Sequence, residues 1–492
     1  MSRLHIVNVY TVVPHSPLLK GRRTPYHMRS PGVSATPPRH ISGGRGAPQK
    51  VVVCASASAS ASTSTDNHAA VRSSRSDPAL SRSVVVIGGG IHGCAATYYL
   101  SKKLSDLRRR NEKEDDGESQ NPRFQVTLLE REDKIACSAS GQAGGFLAAD
   151  WGDAATDQLH KQSFELHAQL AKELDIKSYR TIPTLQVRGG KRNENGLGGD
   201  TPTWLDGEIA SARLMDDPTR TAQVTPAEVT NKLAQAAENL GAVIKTGQRV
   251  VGVVMEDDCV TGVRVRENER GDETVVPCTD VLICMGVWST LASQWFGLPA
   301  DAWPITGIKS THCLWKQREA VRNDPYALFC AEDGRFGTHL EVYPRSDGSL
   351  YICGIGGSDY VEGDRLKEGG DCERATMVAA NPSRVEAGSS CLKSMTSEAS
   401  DAPDEIGACM RPCAPDARPL MGPVPGIANA YINAAHNCWG ITWGPIAGKV
   451  MSELILDGKA SLDLSAFRAD RYTTKVSRRG RKQQTSDVGE QW

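Results

Sequence analysis

Val84-Val85-Val86-Ile87-Gly88-Gly89-Gly90-Ile91-His92-Gly93 decides how this chain is read. Four β-branched residues in succession predict a strand buried on both faces, as in a parallel sheet. Gly88, Gly90 and Gly93 then fit the G-x-G-x-x-G turn that leads into a helix, predicted over residues 94–104. Gly88 permits the tight turn, Gly90 lets backbone approach a pyrophosphate, and Gly93 seats the helix close to the sheet. The free N–H groups and positive dipole end of that helix face the phosphates. A second strand, predicted over 124–129, ends at Glu130, where a carboxylate accepts hydrogen bonds from an adenosine ribose. The interval before Glu130 is long. Its excess is the charged run 108–116, which has no apolar face and predicts a solvated insertion between helix and strand. A β-α-β unit without nucleotide also tolerates such a glycine turn, and Glu130 adds weight to the dinucleotide reading.

A chain of 492 residues can bury a large core, and two interleaved domains are predicted. A net charge of -1 gives no electrostatic case for nucleic acid or an anionic membrane surface. No apolar run is long enough to span a bilayer. The 14 cysteines include no C-x-x-C pair, which argues against a zinc site or a disulfide scaffold and for a reducing compartment. Residues 1–80 differ from the rest: eight Lys or Arg residues, from Arg3 to Lys50, precede the first acidic residue, Asp66. Prolines and a Ser/Ala/Thr tract at 55–65 complete the composition of an organellar transit peptide. Val51-Val52-Val53-Cys54-Ala55 resembles a plastid processing region, so the expected location is the chloroplast, with the mitochondrion as alternative.

Past Glu130, the small-residue segment from Ala136 to Phe146 lets backbone lie against a flat ligand and offers serine hydroxyls to phosphate. Leu159, Leu166, Leu170 and Leu174 predict a helix with a core-facing stripe. Thr225-Pro226-Ala227-Glu228 reads as a capping box with proline at the first helical position. Strands are predicted at 184–187, 242–246, 249–255, 261–266 and 281–284, and a hairpin at 339–354. Lys309 and His312 are active-site candidates that a structural partner would equally explain. The polar stretch 361–404 supports no assignment. Near the C-terminus, Cys409 to Pro423 precedes a strand at 430–434, and His436-Asn437-Cys438-Trp439-Gly440-Ile441 leads into a helix with Pro445 in its first turn.

Three separated segments resemble the D-amino-acid oxidase family of flavoproteins, which includes glycine oxidase, sarcosine oxidase and related dehydrogenases. They are the Gly88–Gly93 turn with Glu130 and the 138–146 loop; Gly286-Val287-Trp288-Ser289; and Arg411-Pro412 through Gly422, followed by His436, Gly440 and Gly444-Pro445. The resemblance implies an α/β fold in which a Rossmann-like FAD-binding domain (83–155, 220–300 and 405–460) interleaves with an α+β substrate domain built on an antiparallel sheet (156–219 and 301–404), with a basic tail at 461–492. It implies bound FAD and oxidation of a C–N bond in a small amine or amino acid. By position, Gly88, Gly90, Ile91, His92, Gly93, Glu130, Arg131, Ala139, Ser140, Gly144, Gly145, Phe146, Val250, Gly286, Trp288, Gly440 and Ile441 match the family's cofactor contacts. Arg411 and His436 match its catalytic positions, Arg411 as the clamp on a substrate carboxylate.

Two departures stand out. Gln142 occupies the place where some members carry a histidine bound covalently to FAD, and the family's substrate-site tyrosines have no assigned counterpart. Cys409 falls where monomeric sarcosine oxidases form a flavin thioether, so covalent and non-covalent FAD both stay open. A single G-x-G-x-x-G and the lack of paired redox cysteines imply that substrate, not NAD(P)H, reduces the flavin. The electron acceptor is left open among oxygen, a quinone and a carrier protein. A flavin-bound assembly or trafficking factor with little turnover is the alternative function, because family members of that kind share the FAD motifs.

Overall fold

A computed structural model describes residues 80–114, 123–191, 201–267 and 271–473. The transit-peptide reading of residues 1–80 therefore falls, but for its last residue, outside the described residues, as does the tail beyond 473. The fold described below is that of the described residues within the unit Cys54–Trp492.

The run Val84–Ile87 belongs to a central strand, Leu80–Ile87, of a six-stranded sheet ordered Leu420–Pro423, Ala430–Ala434, Asp280–Ile283, Leu80–Ile87, Arg123–Leu129, Val243–Lys245. All neighbours pair in parallel except Leu420–Pro423 with Ala430–Ala434. Both faces are covered, which accounts for the unbroken apolar run. Val84 and Val86 join one core with the helices Ile91–Glu114 and Gly440–Asp457. Val85 and Ile87 join another with the antiparallel strands Gln248–Glu256 and Cys259–Glu267. A third strand of that meander, Glu273–Pro277, was not anticipated.

The second large sheet has eight strands. Its spine is Thr306–Trp315, paired along nine residues with Glu405–Cys413. Residues 405–413 were expected with the nucleotide-binding domain, but this ladder places them in the antiparallel sheet. One pair in that sheet, Thr184–Gly189 with Ala327–Cys330, is parallel. The helix Pro382–Met395 covers it, capped by Asn381, whose side chain accepts from the Ser383 N–H at 3.1 Å.

Three local expectations are corrected. The first helix does not stop near 104 but continues to Glu114, because the charged run beyond it consists largely of good helix formers. The 225–228 capping box does not close: the Thr225 side chain makes no cap bond, and Glu228 accepts the backbone N–H groups of Lys177 (2.8 Å) and Ser178 (2.9 Å). The last helix starts at Gly440, so Pro445 lies inside it. Proline has no N–H to give the Ile441 carbonyl one turn earlier. His167, from the helix Asp157–Glu173, donates Nε2–H to that carbonyl at 2.9 Å. His167 is buried, and burial pushes its pKa down to about 4, which keeps the ring neutral.

Replacing His167 with leucine leaves a buried carbonyl unsatisfied. We expect His167→Leu to lose about 1–3 kcal/mol in urea unfolding at equal flavin content. Unchanged stability would show that the Ile441 carbonyl has another partner.

Candidate active site

The glycine turn is built by close approach. Gly88 has φ +111°, and a Cβ there would stand 2.4 Å from the Cys284 carbonyl oxygen. A Cβ on Gly93 would stand 1.9 Å from the Gly88 oxygen. Only bare backbone fits at either position. Glu130 emerges beside the turn, and its carboxylate accepts the N–H of Gly89 (2.6 Å) and of Glu132 (2.8 Å). Burial pushes its pKa up, and those two N–H bonds pull the other way. Ser140 Oγ accepts the Ile91 N–H at 2.9 Å, tying the 138–146 loop to the start of the helix.

From this turn a cavity of about 730 Å³ runs to the antiparallel sheet. Of the sequence-predicted site residues, all line it except Lys309 and Gly93, the latter's part being the close packing just described. Arg131 reaches the wall, but its guanidinium is bound to Glu373 through the backbone oxygen (2.9 Å) and the carboxylate. Glu132 likewise holds Arg374 (2.7 Å) and the Ala375 N–H (3.0 Å), so the stretch 373–375 borders this end of the cavity. Trp288 Nε1 donates to the Cys372 oxygen at 3.1 Å and fixes the same stretch from the other side.

Midway, His92 and His436 stack with ring centroids 3.7 Å apart. Burial pushes His92 down to about 3 and His436 well below the usual imidazole value, so both rings are neutral. Among the described residues, His92 Nε2 and both ring nitrogens of His436 are buried without a hydrogen-bond partner. His312, stacked on Tyr351 at 5.3 Å, has a buried, unpartnered Nδ1. Lys309, the other sequence candidate, does not line the cavity and pairs with Asp359 at 3.0 Å.

The far wall is the face of the antiparallel sheet. Glu341 pairs across the hairpin with Cys353, and Tyr343 with Tyr351, so all four side chains project to one side. Arg411 and Cys409 join them from Glu405–Cys413. Tyr343 packs on Phe146 (5.5 Å between centroids), and Phe329 and Trp151 extend the aromatic group. Burial pushes the Cys409 thiol up to about 11, leaving it protonated at neutral pH. The sequence reading missed Glu341, Tyr343, Tyr351 and Cys353, although the alternation along 341–343 and 351–353 carried the signal.

Residues 83–454 match the family described as FAD dependent oxidoreductase, DAO. The chain belongs to this family. A Schizosaccharomyces pombe protein named as an oxidoreductase is 26% identical over 408 residues, covering 78% of this chain and 97% of that one. The glycine oxidase of Bacillus subtilis is 25% identical over 410 residues, covering 79% and 96%. Among solved structures, the L-amino acid deaminase of Proteus myxofaciens superposes with a TM-score of 0.61 at 16% identity, over 81% of this chain and 94% of that one. The chain is thus an FAD-dependent enzyme with the family's mixed α/β fold.

The cavity fits that cofactor. Its volume lies within the roughly 300–1,000 Å³ usual for ligand sites. A Cβ on Gly90 would stand 3.0 Å from Ser140 Oγ, and one on Gly144 only 2.2 Å from the Tyr343 ring, so glycine at both positions lets the cavity wall pack closely. Glu130 retains lone pairs for ribose hydroxyls. The unpartnered histidine nitrogens suit a ring system with polar edges.

Two outcomes follow from this geometry. Gly90→Val should purify as apoprotein, read as flavin absorbance per protein; normal FAD content would remove the turn from the cofactor site. The second concerns acid. In the unfolded chain an imidazole takes up its proton near pH 6.5, whereas in the folded chain His92 does so only near pH 3. Unfolding therefore binds a proton between those values, and stability falls as pH drops below 6.5. His92→Phe should flatten that fall by about 1.4 kcal/mol per pH unit in urea unfolding of the apoprotein. An unaltered slope would mean that His92 is already charged in the fold.

Proposed function

We propose that this FAD-dependent oxidoreductase oxidises the C–N bond of an amino acid or secondary amine. The observation that carries the reading is the single cavity that joins the glycine turn and Glu130 to Arg411 and the aromatic wall. The glycine oxidase and L-amino acid deaminase likenesses point to the same substrate class. FAD, held by the glycine turn, Glu130 and the 138–146 loop, would supply a two-electron acceptor for oxidation of the substrate C–N bond.

The chain supplies orientation and field. Arg411 presents a guanidinium whose planar fork matches a carboxylate, which would set the substrate Cα–H toward the flavin. Phe146, Phe329, Tyr343 and Trp439 enclose that end and exclude water, which strengthens each charge interaction inside. The helix beginning at Gly440 has its N-terminal turn on the cavity, where its dipole stabilises negative charge. His92 and His436, neutral and stacked, add bulk without adding charge.

Anaerobic addition of an amine and amino-acid panel should bleach the flavin absorbance with at least one member. Retained FAD that no member bleaches would favour a flavin-bound assembly factor instead. With a substrate in hand, Arg411→Lys keeps the charge but loses the fork, and kcat/KM should fall about ten- to hundredfold at unchanged FAD content. An unchanged value would place the carboxylate elsewhere.

A further inference from the structure

Six glutamates line the cavity, and five of them are engaged by the protein at its cofactor end. Glu130 holds two backbone N–H groups. Glu132 is paired with Arg374 at 2.7 Å, Glu273 with Arg266 at 2.8 Å, Glu368 with Arg249 at 3.2 Å, and Glu373 with Arg131. The sixth, Glu341, stands on the opposite wall and makes no ion pair within 4.0 Å among the described residues. Its neighbours are the Tyr343 hydroxyl, which donates to Oε2 at 2.5 Å, and the Cys353 thiol at 3.4 Å. Both are donors, and they orient the carboxylate without supplying a positive charge. Tyr343 and Phe146 wall the same space with aromatic carbon. A carboxylate kept in such surroundings is stabilised most by a cation placed in the cavity.

We infer that Glu341 is the counter-charge for the substrate ammonium, so that Glu341 and Arg411 together select a zwitterionic amino acid. This rests on the amino-acid reading of the site given above. The two charges lie on one sheet face, Glu341 on the hairpin strand and Arg411 on the strand Glu405–Cys413, and Glu341 is close enough to act on the Arg411 guanidinium. An α-amino acid carries its own two charges on adjacent atoms and answers both. A simple carboxylate meets Arg411 but is repelled by Glu341, and a simple amine meets the reverse.

Three ligands of one shape, none with a hydrogen on the carbon bearing nitrogen, test this on the FAD-loaded protein. They are 2-aminoisobutyrate (zwitterion), pivalate (anion) and tert-butylammonium (cation), with dissociation constants read from the flavin absorbance change or calorimetry at pH 7. In the wild type, 2-aminoisobutyrate should bind at least about tenfold more tightly than pivalate. In Glu341→Gln, which keeps size and an acceptor for Tyr343, the two simple ions should move in opposite directions. Pivalate should tighten and tert-butylammonium weaken, each by about tenfold. Shifts in the same direction would mark Glu341 as structural, and an unchanged tert-butylammonium constant would make it only a counter-charge to Arg411. Either result overturns the inference. If the variant does not fold, the wild-type order still decides, because pivalate binding as well as the zwitterion contradicts the assignment. Failure of the amino-acid reading itself looks different: no ligand binds and no amine bleaches the flavin.

Discussion

Much of this structure depends on backbone meeting backbone where a side chain cannot go. At Gly88 and Gly93 the first strand, the first helix and the end of Asp280–Ile283 converge within van der Waals distance. The Cys284 N–H closes on the Ile87 oxygen at 2.8 Å and the Gly88 N–H on the Leu129 oxygen at 2.8 Å, so three parallel strands end at one level. Ligands of open α/β sheets lie beyond the carboxyl ends of the strands. The turn thus fixes where the cofactor end of the cavity begins, and Glu130, one residue past the second strand, is placed by the same ladder.

Charge is distributed unevenly along the cavity. At the cofactor end, acids and arginines are matched: Arg131 and Arg249 on Glu373, Arg374 on Glu132. These pairs join the strand-end loop to the 373–375 stretch and leave little net field there. Toward the antiparallel sheet His92, His436 and His312 are held neutral by burial, and Arg411 and Glu341 carry formal charge. Apolar surroundings magnify charge there.

What could be read from the sequence was what local chemistry determines. The strand, glycine turn and helix at 84–93 announce themselves because period, turn residue and steric demand agree within ten residues. The cavity-lining positions followed from that turn and from the family resemblance. Pairing was not local. Residues 405–413 sit beside Leu420–Pro423 in the chain, yet nine cross-strand partners carry them into the other sheet, and nothing in their own pattern records the partner. The helix Pro382–Met395 escaped notice because it buries only Gly388, Cys391, Leu392 and Met395, two of them small, among polar neighbours. Glu341 and Tyr343 were visible as alternating residues of a hairpin, but alternation cannot say which face meets a cavity.

The last helix shows how a local rule yields to a tertiary one. Proline belongs in a first turn, and on that rule Pro445 marks the start; the helix begins instead at Gly440. The extra turn is possible because the bond Pro445 cannot make is replaced by His167, while the Thr442 hydroxyl donates to the Phe146 oxygen at 3.1 Å. Those two contacts join the last helix to Asp157–Glu173 and to the edge of the 138–146 loop. They also set Gly440 and Ile441 against the cavity, with His436 just before them and a Cβ on Gly440 only 3.3 Å from the His92 ring. A helix that began at Pro445 would end its dipole a full turn further from the cavity. The buried histidine therefore acts on the site at a distance, by permitting the turn that brings the helix terminus to it.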